Sequence, residues 1–267
     1  MLFYNCITAE QIIFIKFEKL IVMSEKETIY QYTNEPIVQR GGVINSANFI
    51  PNVFLWMFIA LGLSAGFAYF FSNDEALLSM LIDPINGGRT TLGTIAMFAP
   101  LAFVMVMSFG MNRLSFPALA LIFVLYSAAT GISLSYILLI YTSSSVLGCF
   151  ISASLLFAVM AFAGYTTETD LTKFGSILMM ALVGIIIASI VNFFLGSSQL
   201  DYIISFIGVA LFVGLTAYDM QRLKRIAAGI EYGDASANKM VIMGALTLYL
   251  DFINLFLMLL RLFGSRK

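Results

Sequence analysis

From Asn52 onward the chain is written as long apolar blocks separated by short polar ones: residues 52–71, 91–111, 117–140, 146–164, 175–196, 202–220 and 240–260. A helix needs about 20 apolar residues to cross the hydrocarbon core of a bilayer, and it satisfies its own backbone hydrogen bonds where water is absent. Every block meets that length, so seven transmembrane helices are expected. Neither the two-residue alternation of a β-barrel nor an internal repeat is visible. The connections 112–116, 141–145 and 197–201 are so short that successive helices must lie antiparallel and adjacent, in one compact bundle.

The stretch before the first block reads differently. Residues 1–50 form a polar tail, 51–264 the transmembrane domain and 265–267 a short basic C-terminal tail. Within the tail, MLFYNCITAEQIIFIKFEKLIV (1–22) interrupts its apolar residues with Glu10, Lys16, Glu18 and Lys19. It therefore has neither the clean apolar centre nor the small-residue cleavage site of a signal peptide, and it does not make a span. The abrupt change to SEKETIYQYTNE after Met23 points to translation starting there, with residues 1–22 an upstream extension and 23–50 mobile.

Composition narrows the function. With 60% hydrophobic and 11% charged residues the chain is no water-soluble globule, which carries roughly a quarter charged residues. A net charge of -1 offers no basic surface for nucleic acid. The absence of histidine removes Ser-His and Cys-His nucleophiles, His-ligated zinc and haem, and the metalloprotease helix. The two cysteines, Cys6 in the tail and Cys149 in an apolar run, make neither a disulfide framework nor a metal cluster, and Cys149 reads as a small buried hydrophobe. No cofactor and no enzymatic activity are expected. The partners expected are membrane lipid, Ca²⁺ and protons, with a further membrane protein as one alternative.

The basic residues set an orientation. With the N-terminus in the cytosol, that side collects Lys16, Lys19, Lys26, Arg40, Arg113, Lys173, Arg222, Lys224, Arg225 and Lys239, and the opposite loops hold only Arg89. The positive-inside rule favours this arrangement. Arg261, Arg266 and Lys267 run against it if all seven blocks cross. Either they are tolerated beyond a seventh crossing, the favoured reading, or the last segment is re-entrant.

Inside the seven blocks the only charged side chains are Asp219 and Asp251. An aspartate at a helix centre costs roughly 2.5–3.5 kcal/mol on insertion scales, so an intramembrane acid signals function and faces the bundle interior or water. Asp251 shares its helix face with Thr247 and Asn254, and Asp219 shares its own with Thr216 and Arg222. The structural alternatives are an interfacial Asp219 paired with Arg222 or Arg225, and a protonated Asp251 acting as hydrogen-bonding glue. The two acids lie on consecutive antiparallel helices at depths differing by about 10 Å at 1.5 Å per residue. They meet only if the sixth helix sits higher or continues through QRLKRIAAGI. If they meet, they share a proton and titrate as a coupled pair with one apparent pKa raised. Their oxygens also suit Ca²⁺, in a weak site from which an ion can leave.

The stretches FIGVALFVGLTAYDMQRLKRIA (206–227) and GALTLYLDFINLFLMLLRLFG (244–264) resemble the closing signature of the Bax inhibitor-1, or transmembrane Bax inhibitor motif, family, with GYTTETDLTKFGSILMMALVGIIIASIVNFF (164–194) a further match. The resemblance implies seven helices, with two three-helix layers around a central C-terminal one. It also implies a bacterial pH-sensitive calcium leak channel in the inner membrane whose sensor aspartates match Asp219 and Asp251. A basic residue at the cytosolic end of the second helix, for which Arg113 is the candidate by position, would latch onto Asp219 when the pore is closed; a plain topology anchor is the alternative. The chain departs from relatives that carry an acid inside the second helix, having Pro100 in MFAPLAFVMVMSFG instead, where a packed kink is expected.

Rival functions differ in what they ask of the two acids. Intramembrane aspartyl proteases also use two helix-borne acids, but here Leu248 and Leu250 of LYLD replace the glycines that would admit a substrate backbone. A non-conducting regulator that binds another membrane protein, such as a membrane-anchored protease, is the sharper alternative, and proton-coupled exchange is a third. Gly62-x-x-x-Gly66 and Gly184-x-x-x-Ala188 read as close helix contacts, and Asn192 as an interhelical hydrogen bond or a cavity residue.

Overall fold

The computed structural model describes residues 16–22, 46–83, 88–229 and 236–267. Lys26 and Arg40, and the expected mobility of 23–45, lie outside them. The described residues form nine helices: α1 (residues 16–22), α2 (Ser46–Asn73), α3 (Glu75–Leu81), α4 (Thr91–Gly110), α5 (Phe116–Ile140), α6 (Ser143–Thr166), α7 (Thr172–Leu195), α8 (Ser198–Gly229) and α9 (Ala237–Phe263). Seven of them, all but α1 and the short α3, are long and apolar enough to cross a membrane. The chain is an integral multi-pass membrane protein. Helix α2 starts at Ser46 and its candidate span at Asn48, inside the stretch assigned to the polar tail, and the helix continues through Pro51.

The helices begin and end where local chemistry dictates. Asp74 caps α3 by accepting from the amides of Ala76 and Leu77, and Thr90 and Thr142 cap α4 and α6 in the same way. Pro117 opens α5. At the end of α7, Gly196 takes the left-handed conformation at φ 63°, and Asn192 accepts from the Ser197 amide through its side chain. Asn192 therefore caps its own helix and does not line a cavity.

Helices α2, α4 and α5 form one layer and α6, α7 and α8 the other, with α9 between them. The most apolar stretch of α9 is 100% buried, against 22% for α6 and for α7, which makes α9 the axis and turns the outer helices toward lipid. Within each layer, helices are drawn close at glycines other than those read from the small-residue spacing. A Cβ on Gly131 would stand 2.5 Å from the Ser64 carbonyl oxygen of α2, and one on Gly164 would stand 2.2 Å from the Ala217 carbonyl oxygen of α8. Gly62, Gly66 and Gly184 have nothing within 4 Å of such an atom, so these three mark outward faces. Pro100 lies buried inside a continuous α4; lacking an N–H, it leaves the Ala96 carbonyl without a helical donor, and Ser133 Oγ of α5 donates to it at 2.7 Å.

The C-terminal end is pinned at the α5–α6 turn. The Thr142 amide donates to the Ser265 carbonyl, the Lys267 amide to the Ile140 carbonyl, and Arg266 bridges to Tyr141. The C-terminus thus lies at the end opposite Arg113, so α9 crosses fully and the re-entrant alternative is set aside. Asp201 takes up Arg261 at 2.5 Å at that same end, which answers the discordant charge by pairing it.

Candidate functional site

The long α8 brings the two acids together. It continues past Arg225 to Gly229, where its end is clamped to the α6–α7 turn: Gln221 Nε2 donates to the Thr169 carbonyl, the Leu171 amide donates to Gln221 Oε1, and Lys224 Nζ donates to the Tyr165 carbonyl. Asp219 then lies ten residues from the end of α8, and Asp251 fourteen from the start of α9. At 1.5 Å per residue this shrinks the depth difference to about 6 Å, which side chains span easily.

What joins them comes from outside the spans. Lys19 of α1 is fully buried, and its Nζ lies 2.5 Å from Asp219 Oδ2 and 2.6 Å from Asp251 Oδ1. It also donates to the Thr247 carbonyl oxygen at 3.3 Å. Three ammonium donors thus meet three oxygens, two of them carboxylate. Since both carboxylate oxygens approach one nitrogen, they are within about 5 Å of each other. Asp219 is 1% exposed and Asp251 not at all, so the cluster is sealed from bulk water.

Two expectations are corrected by this arrangement. Residues 16–22 are no part of a solvated tail: Lys16, Glu18, Lys19 and Val22 are buried in the bundle, with Lys16 Nζ donating to Ser189 Oγ of α7 and Glu18 Oε2 accepting from the Tyr126 hydroxyl of α5. The physical reason is compensation, since buried acids at the bundle centre are stabilised by a buried cation. Arg113 is exposed in the α4–α5 turn, and Asp219 takes its cation from Lys19 instead. Arg225, the other sequence candidate for Asp219, pairs with Asp170.

The remaining predicted polar residues stand around the cluster without all touching it. Thr216 and Thr247 turn their hydroxyls back to the carbonyls of Phe212 and Met243 on their own helices, and Asn254 Nδ2 donates to the Leu250 carbonyl. Thr247 serves through its backbone. Arg222 is buried and lines, with Asp219, Met243 and Thr247, a cavity of about 30 Å³ on the Arg113 side of Asp219. Behind Glu18, Tyr126 stacks edge-on against Tyr249 of α9, whose hydroxyl shares a hydrogen bond of 2.7 Å with Ser64 of α2. Sequence patterning singles out neither Lys19 and Glu18 nor these hydroxyls. The signal present was the charged trio Lys16, Glu18 and Lys19 set in an otherwise apolar stretch, a pattern that a free tail has no reason to carry.

No group of three or more acidic, cysteine or histidine side chains that could hold a metal ion is found among the described residues. The oxygen set at Lys19 is instead a two-carboxylate, one-carbonyl cage that already accommodates a positive charge.

A seven-helix membrane bundle with a buried aspartate pair at its axis defines the class of protein. The sequence model of the family described as "Inhibitor of apoptosis-promoting Bax1" matches residues 46–267, and the chain belongs to this Bax inhibitor-1 family. Similar proteins include "Inner membrane protein YbhL" of Escherichia coli (strain K12), 44% identical over 236 residues, 88% of this chain and 97% of that protein. An "Uncharacterized protein" of Borreliella burgdorferi is 41% identical over 230 residues, covering 86% of this chain and 97% of its own. The "Uncharacterized membrane protein M6_Spy0327" of Streptococcus pyogenes serotype M6 is 34% identical over 235 residues, 86% of this chain and 98% of its own. The family match begins at residue 46, so Lys19 lies outside it and both aspartates lie inside it.

Proposed function

We propose that the protein is a pH-sensitive calcium leak channel in which Asp219 and Asp251 form the site where Ca²⁺ and protons compete. The observation that carries this reading is the convergence of two buried carboxylates and a backbone carbonyl on one cationic group at the bundle axis. A cage that holds an ammonium offers hard oxygens of the kind Ca²⁺ takes, and with so few of them the ion is held weakly and can leave. Protonating either acid removes that attraction, so the same atoms sense pH. Among the described residues the charged groups facing the pair are Lys19 from α1 and Arg222 from α8, with Glu18 turned away toward Tyr126 and Tyr249.

A catalytic reading finds less support. Leu248 and Leu250 beside Asp251 are fully buried, leaving no room for an extended peptide at the acid. The orientation that suits the charges places the Arg113 end in the cytosol. Among the described residues that end carries Arg113, Lys173, Arg222, Lys224, Arg225 and Lys239, against Arg89, Arg261, Arg266 and Lys267 at the other. A bacterial inner membrane is the proposed location, in keeping with the name of the Escherichia coli relative.

The test is Ca²⁺ entry into dye-loaded liposomes stepped between pH 5 and 8, with wild type, Asp219→Asn and Asp251→Asn. The reading expects wild-type flux to depend on pH, Asp219→Asn to loosen the closed state by freeing Lys19, and Asp251→Asn to shift or flatten the pH profile. Equal flux and unchanged profiles in both variants would refute the paired-aspartate mechanism. Absence of flux at every pH would favour a non-conducting regulator that binds another membrane protein.

A further inference from the structure

The group occupying the aspartate pair is a side chain of this chain, delivered by a segment that belongs to none of the seven spans. Helix α1 lies inside the bundle and touches both layers and the axis: Lys16 reaches Ser189 on α7, Glu18 reaches Tyr126 on α5, and Lys19 reaches Asp219 on α8 with Asp251 and Thr247 on α9. At its far end Val22 is fully buried in the same apolar core as Phe49 and Val53 of α2. A segment so placed lies against α9, between the two layers, at the depth of the acids. The bundle's carboxylates account for where it sits.

We infer that the Asp219–Asp251–Thr247 oxygen cage is a primary-ammonium site, filled in cis by Lys19 so that α1 acts as a tethered plug. The inference rests on the conduction reading for its consequence and on geometry alone for the site. The ammonium takes the three oxygens that a passing Ca²⁺ would need, and it neutralises the attraction that would draw one in. Calcium therefore passes only when Lys19 has left, and Lys19 leaves when the acids are neutralised or displaced. Among the described residues the charged groups around it are Asp219 and Arg222 on α8 and Asp251 on α9, with Glu18 on its own segment facing the tyrosines. The Arg261–Asp201 pair lies near Lys16, toward the opposite end. A free primary alkylammonium of matching length should bind where Lys19 has been truncated.

The experiment compares three chains in Ca²⁺ liposomes at pH 7.5: the full chain, a chain begun at Met23, and Lys19→Ala. Lys19→Ala removes a three-carbon ammonium arm, so n-propylammonium is the probe. The two plug-deficient chains are expected to pass Ca²⁺ about tenfold faster or more, as release of a buried, doubly paired cation implies. Millimolar n-propylammonium should slow Lys19→Ala again and raise its thermal midpoint in detergent. It should do neither in Lys19→Ala carrying Asp219→Asn and Asp251→Asn. Equal flux from all three chains overturns the plug and leaves conduction standing. No flux from any chain overturns conduction, and the propylammonium shift in thermal midpoint then decides the ammonium site by itself. A missing shift overturns that site whatever the flux.

Discussion

Replacing Lys19 by methionine keeps a linear side chain of similar length and deletes one charge from the centre of the bundle. Two carboxylates, both buried and within about 5 Å of each other, are then left without their cation. At an effective dielectric of about 20 their repulsion alone is roughly 3 kcal/mol at that distance. Leaving both charged adds to that repulsion the desolvation of two uncompensated buried ions, several kcal/mol each, so the pair has a cheaper resting state, in which it binds one shared proton. From the ordinary aspartate value of about 3.9, taking up one proton at pH 7 costs about 1.36 kcal/mol for each of about three pH units, or roughly 4 kcal/mol. That figure is the expected loss of stability at pH 7. The folded variant then holds a proton that its unfolded chain does not, so its stability must fall as pH rises and recover as pH drops. The deficit against wild type should shrink by about 1.4 kcal/mol per pH unit, to about 1.5 kcal/mol at pH 5. For a chain of this size 4 kcal/mol corresponds to a lowering of the thermal midpoint by roughly 8–16 °C. Thermal unfolding in detergent at pH 5, 6, 7 and 8, with wild type beside Lys19→Met, measures both the size and the slope. A deficit below about 1 kcal/mol at pH 7, or one of equal size at pH 5 and pH 8, would show that Lys19 does not compensate the acids.

Other consequences are structural. Gly164→Ala places a methyl 2.2 Å from the Ala217 carbonyl and should cost about 1–3 kcal/mol through separation of α6 from α8, whereas Gly62→Ala, with open space around it, should stay within about 0.5 kcal/mol of wild type in the same melt. Ser133→Ala strips the donor from the carbonyl left over by Pro100 and should cost about 1–3 kcal/mol; most of that loss should vanish when Pro100→Ala restores the helical N–H, as a double-mutant cycle reads directly. At the α6–α7 turn, hydrogen bonds from the Thr172 hydroxyl, the Arg225 guanidinium and the Thr172 amide hold the Asp170 carboxyl well below the usual carboxylate range. A depressed value means that its stabilisation is complete above about pH 4 and fades as pH falls further. The midpoint difference between wild type and Asp170→Asn should accordingly be flat from pH 5 to 8 and close below pH 4; a difference that grows on acidification would contradict the geometry.

The positions of the seven spans were legible because the membrane imposes one rule on every crossing segment, and repeated apolar runs of about 20 residues match the thickness of the hydrocarbon core. The importance of Asp219 and Asp251 was legible for the same reason, since a charge inside such a run stands out against its cost. Spacing along one helix could not reveal which helices touch. Gly62 and Gly66 are set four apart as a close contact would require, yet they face outward, and the crossings fall at Gly131, with serines four residues to either side, and at Gly164, which has no small residue at that spacing. Asn192 looked available for a cavity and is spent on its own helix end.

Charge compensation was the least legible feature. Sequence placed Lys19 in a tail and offered Arg113, Arg222 or Arg225 to Asp219 by proximity along the chain or by family resemblance. An ion pair is decided by three-dimensional distance, and Lys19 lies 200 positions from Asp219. Periodicity and cost thus determined the class of protein, its seven crossings and the two acids that matter, because those follow from each segment's own encounter with lipid. The tertiary structure alone decided that the acids meet, that an ammonium from outside the spans sits between them, and that Arg113 stays at the surface. Those outcomes depend on which distant groups can reach one buried charge.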